Sequence, residues 1–153
     1  MNIKLNKWWT LVGLSLLPSV LGFIINFLVI QFPVNGFMMF VMSFLFYAYW
    51  LYAGYKIKKA YDMNVFTIGL VHSVGLLSLA YLGYQVIYVG AFHTDALGLA
   101  PQLYFIPGLS LVSRFDSLSI LNDLMKLCTA TLTLMVITFY LGGRLYIERI
   151  KRY

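Results

Sequence analysis

His72 is the one histidine or acidic side chain that falls inside an apolar run of this 153-residue chain long enough to cross a membrane. An imidazole at such a depth could relay protons or respond to pH. A neutral imidazole hydrogen-bonded to a neighbouring helix is the plainer expectation. Asn26, towards the far end of the first apolar run, and Gln85, towards the far end of the third, have comparable surroundings. Asn26, His72 and Gln85 therefore form a candidate intramembrane polar site, of the kind that lines a small pore. No carboxylate falls within a run, which argues against proton-coupled exchange through an intramembrane Asp or Glu.

A second group, His93, Asp95, Arg114, Asp116, Asp123 and Lys126, lies between the end of the third run and the first residues of the fourth. Gathered at one point, these carboxylates and the imidazole could serve as general acid, general base or metal ligands. Their spacing matches no ligand motif, and solvation of a loop accounts for them. Asp123 and Lys126, three apart, would pair on a helix. The GxGxxG, Walker, HExxH and GxSxG patterns are all absent from the sequence. With the single cysteine, Cys128, an internal disulfide is excluded, and no CxxC or Cys/His cluster points to a metal. The expectation is therefore no catalytic residue, no cofactor site and no metal site.

These residues must be positioned by elements whose solvent is mostly lipid. Hydrophobic residues make up 61% of the chain, charged ones 10%, and mean hydropathy is +0.84. That leaves too little polar surface to coat a water-soluble globule. A hydrocarbon core of about 30 Å needs about 20 apolar residues in a helix, and four stretches qualify: about 8–30, 37–55, 65–89 and 124–143. The first is too long for a signal-peptide core and lacks a small-residue cleavage site, so it is expected to be retained as a helix. Pro18 should kink it.

The basic residues give the orientation. Lys4 and Lys7 precede the first run; Lys56, Lys58 and Lys59 follow the second; Arg144, Arg149, Lys151 and Arg152 follow the fourth. Four crossings place all nine on one side, which the positive-inside rule makes cytoplasmic. The net charge of +6 is then explained by topology and anionic lipid headgroups rather than by nucleic acid.

The stretch ALGLAPQLYFIPGLSLVS, residues 96–113, is uncharged yet is not expected to be a fifth crossing. A fifth span would export the basic C-terminal tail, and two central prolines disfavour a through-going helix. A lone strand cannot face lipid. Residues 91–122 are therefore expected to form an external segment, interfacial or re-entrant, broken at Pro101 and at Pro107–Gly108. Within the spans, Gly69 and Ser73 have small-xxx-small spacing for close helix approach. Thr129, Thr131, Thr133 and Thr138 can bond back to their own helix. Trp8 and Trp9, with Tyr47, Tyr49, Trp50, Tyr52 and Tyr55, fit an interfacial aromatic belt.

The fold class expected is an all-α integral membrane protein, with residues 1–153 as one domain. It would be a four-transmembrane-helix bundle, N-in/C-in, with a long apolar external segment between helices 3 and 4. The function expected is that of a non-catalytic accessory subunit or regulator in the cell membrane of a bacterium or archaeon. A small oligomeric channel or transporter is the alternative, and an outer-leaflet lipid-acting enzyme the third. The partners implied are membrane lipids and another membrane protein or a second copy.

Overall fold

A computed structural model describes residues 7–61, 63–89, 96–113 and 124–150, and these are helical apart from short connections. The helices are α1 (Lys7–Gln31), α2 (Gly36–Ala60), α3 (Val65–Val71), α4 (Ser73–Tyr84), α5 (Ala96–Leu103), α6 (Ile106–Ser113) and α7 (Leu124–Ile150). A π-helical turn, Gln85–Val89, extends α4. α1, α2 and α7 are long and apolar enough to cross a membrane, and α3 with α4 forms a bent pair that passes the same test together. Phe23, Phe27, Ile30, Phe44 and Leu77 point away from the protein, each more than half exposed.

Local chemistry sets the helix starts. The Asn35 side chain accepts from the Met38 N–H at 2.9 Å, and that of Asn64 accepts from the Thr67 N–H at 2.8 Å, each satisfying a donor with no partner inside its helix. Lys58 and Lys59 occupy the last turn of α2, where the helix dipole favours cations. This polar turn carries α2 five residues beyond the apolar run that ends at Tyr55, because lysine is a good helix former.

α2 and α7 form the closest helix pair. A Cβ at Gly54 would strike the carbonyl of Phe139, and one at Gly142 the carbonyl of Leu51. Without side chains at these two points the backbones can approach closely, which is how packing is gained where lipid tails are as apolar as leucine. Gly69 does not play the part its spacing suggested, since nothing lies within 4 Å of a Cβ placed there. Its neighbour in that pattern, Ser73, instead meets Ser15 of α1, with the two hydroxyls 3.1 Å apart.

The third run, read as one helix over 65–89, is broken at His72, and α3 and α4 meet at 61°. His72 leaves the helical region at φ −101°, ψ 9°. Two side chains satisfy the backbone there: the Ser73 hydroxyl donates to the Leu70 carbonyl at 2.8 Å, and the Ser15 hydroxyl accepts from the Val74 N–H at 3.3 Å. Pro18 behaves differently, as α1 runs through it as one helix with its ring buried.

α5 and α6 lie inside the bundle. Their junction, Tyr104 and Phe105, is fully buried. A Cβ at Gly22 of α1 would strike the Leu103 carbonyl, the Tyr104 ring covers Gly75 of α4, and Gly108 lies under Tyr47 of α2 and Thr131 of α7. The break falls at Tyr104–Phe105 and not at the prolines. Pro101 is carried within α5, and Pro107 is the second residue of α6, where a backbone N–H would have no helical partner anyway. The Phe105 N–H closes the turn onto the Gln102 carbonyl at 3.0 Å.

Candidate functional site

The three polar residues of the apolar runs occupy three separate environments. His72 is buried against α2 and α7. The indole N–H of Trp50 reaches its Nε2 at 3.1 Å, and its Nδ1 lies 2.9 Å from the Ile68 carbonyl. An indole can only donate, so Nε2 must be the acceptor and Nδ1 carries the proton that meets Ile68. Both ring nitrogens are thereby satisfied in the neutral form. Trp50 and Phe139 stand edge-on to the imidazole at ring-centre distances of 5.7 and 5.5 Å, and Phe46 stacks on Trp50 at 5.5 Å.

The aromatic residues of α2 therefore divide. Tyr49 and Tyr52 are exposed, as a belt requires, but Trp50 and Tyr47 are core residues. Burial of Trp50 follows from its indole having a partner in His72. The Tyr47 hydroxyl points to the Thr131 carbonyl at 3.5 Å. Trp8 and Trp9 remain exposed at the start of α1, in keeping with a belt.

Gln85 lies at the point where α4 passes into the π turn. It is 1% exposed, and neither its Nε2 nor its Oε1 has a hydrogen-bond partner among the described residues. The hydroxyl of Tyr104 is in the same condition. Asn26 is half-buried and lines a cavity of about 320 Å³ together with Met39 of α2 and Ser110 and Ser113 of α6. Neither His72 nor Gln85 lines that cavity. The geometry thus does not assemble Asn26, His72 and Gln85 into one polar site.

Of the outer group, His93, Asp95, Arg114, Asp116 and Asp123 lie outside the described residues, as does the proposed Asp123–Lys126 pair. Lys126 is exposed at one end of an apolar groove lined by Thr129, Ala130, Thr133 and Ile137 of α7 and Val112 of α6. Among the described residues no three of His, Cys, Asp and Glu come together as a metal site would need. The α7 threonines bond to their own helix: Thr129, Thr131, Thr133 and Thr138 each donate to the carbonyl four residues back at 2.7 to 2.8 Å.

Sequence reasoning missed Ser15 and Trp50, the two partners that stabilise the break at His72. A hydroxyl in an apolar helix can always satisfy itself locally, so Ser15 gave no signal. Trp50 was hidden among aromatics that do face outward.

The fold and these sites define an all-helical protein with helices of membrane-spanning length and apolar outer faces. No family model matches the sequence, and neither the curated proteins nor the solved structures yield a match.

Proposed function

We propose that this protein is an integral membrane protein that crosses four times, with both termini cytoplasmic and α5–α6 re-entering from the outer side. It works as a non-catalytic accessory subunit or regulator, through contacts made within the bilayer and at its outer face. The observation that carries this reading is the packing of the α5–α6 hairpin. Tyr104, Phe105 and Val112 fill the space between α1, α2, α4 and α7 that a conducting path would need. The dispersal of Asn26, His72 and Gln85 also counts against a pore, whose lining residues must share one water-filled route. The N-in/C-in orientation is supported by the nine lysines and arginines that four crossings bring to one side.

Purified protein reconstituted alone into liposomes tests the role. No flux of protons, alkali cations or halides above empty liposomes is expected, together with recovery of a larger membrane protein in stoichiometric amount when the chain is purified from native membrane. Solute flux by the isolated protein would overturn the reading. For the topology, single cysteines placed at Lys59 and Ser113 in a Cys128→Ala background should be modified by an impermeant maleimide from opposite sides of the membrane.

A further inference from the structure

α1 and α2 are joined by residues 32–35 alone, yet no Cα of α1 comes within 8 Å of a Cα of α2. α6 lies between them and packs on both. The outward side of this wedge is left open as two cavities on the same three helices. The larger of the two, about 540 Å³, has aliphatic and aromatic walls that include Leu17, Leu21, Leu45 and Phe46, with Pro107 of α6 also lining it. The other, about 320 Å³, holds the polar side chains Asn26, Ser110 and Ser113. The crevice is thus apolar along its length and polar at one end.

We infer that this crevice binds a membrane glycerolipid, with one acyl chain lying between α1 and α2 and the ester-bearing head region at Asn26, Ser110 and Ser113. The dimensions agree. From Leu17 to Asn26 the helix rises about 14 Å, close to half of a hydrocarbon core of about 30 Å, so the crevice is as deep as one leaflet. α1 is 25 residues long, about 37 Å, so it overhangs such a core slightly at each end. Asn26, five residues before Gln31, then falls about 4 Å inside the hydrocarbon boundary, from where its carboxamide can reach up to the lipid ester carbonyls at that boundary.

Asn26 supplies the independent observation. Its carboxamide makes no hydrogen bond to any described residue, and an unpaired amide at this depth is costly because hydrocarbon offers it nothing. An ester carbonyl or phosphate oxygen would accept from its NH₂ group. The inference rests on α1 and α2 spanning the bilayer. It depends neither on which side is cytoplasmic nor on the accessory role, so a failure of that role would leave it standing.

The test uses the full chain in dioleoylphosphatidylcholine vesicles doped with a phosphatidylcholine that carries a diazirine at mid-chain, with labelled residues mapped by peptide mass spectrometry after photolysis. Label should concentrate on residues 17–28 and 42–49, well above Leu76 and Leu77 on the outward face of α4. Leu21→Trp, which fills the apolar cavity, should abolish crevice labelling while leaving the α4 label unchanged. Asn26→Leu should weaken it about fivefold, the effect of losing one ordinary hydrogen bond; because leucine is apolar and of similar size, this variant keeps the test valid if Leu21→Trp does not fold. Equal label on the crevice and on α4 would mean ordinary annular lipid and would overturn the proposal. So would an unlabelled crevice accompanied by a disulfide between two copies bearing Leu45→Cys in a Cys128→Ala background, since a second copy would then be the occupant.

Discussion

Trp50 of α2 donates its indole N–H to Nε2 of His72 at 3.1 Å, at the residue where the third apolar run bends by 61°. The bond joins the point of greatest backbone irregularity to the closest helix pair, because Phe139 of α7 contacts both rings. It also assigns the imidazole tautomer. Nitrogen NMR of ¹⁵N-histidine-labelled protein should show His72 protonated at Nδ1 and bare at Nε2. The opposite tautomer would rule the bond out.

Removing both partners should cost less than the sum of removing each. Trp50→Phe leaves a buried imidazole nitrogen without a donor, at a cost of about 1–3 kcal/mol. His72→Phe strands the indole N–H in the same way. In the double variant the two penalties should fall short of additivity by about 0.5–3 kcal/mol, measured by denaturant unfolding in detergent micelles. Strict additivity would mean the two side chains do not interact.

Glycines in the spans should separate sharply under substitution by alanine. At Gly54 and Gly142 a Cβ meets the backbone of the partner helix, and backbone cannot rotate aside, so each change should destabilise by about 1–3 kcal/mol. Gly69→Ala meets nothing and should stabilise by up to about 1 kcal/mol through helix propensity. Thermal unfolding in detergent distinguishes them, and equal effects at all three positions would contradict the α2–α7 contact.

Gln85 should be dispensable for folding. Its buried amide has neither donor nor acceptor opposite it among the described residues, so Gln85→Leu should raise stability, by about 1–3 kcal/mol. A loss of stability would show that the amide has a partner elsewhere in the chain or in bound water.

The hairpin should be displaced by bulk at its seat. Gly75→Leu would push into the Tyr104 ring and Leu132. A cysteine replacing Phe105, in a Cys128→Ala background, should be unreactive towards an aqueous maleimide and become reactive once Gly75→Leu is added. Reactivity in both would place the turn at the surface rather than inside the bundle.

Much of this molecule could be read from residue types alone. A continuous apolar run dictates a helix wherever backbone polar groups must be satisfied without water, so α1, α2 and α7 were found to within a few residues, apart from their polar extensions. The self-bonding of the α7 threonines was an equally local matter, whereas the exclusion of 96–113 from a through-going span drew on the charge distribution of the whole chain. What could not be read was which side chains face one another. His72, Gln85 and Asn26 look alike in sequence, each a polar residue among apolar neighbours. Only the placement of Trp50, of the α5–α6 hairpin and of the α1–α2 opening makes the first satisfied, the second sealed and the third open to a cavity. The break at His72 is of the same kind, because the acceptor Ser15 and the partner Trp50 come from other helices. Hydropathy reports how each segment meets its solvent, whereas the fate of a polar group in lipid depends on partners that come from anywhere in the chain.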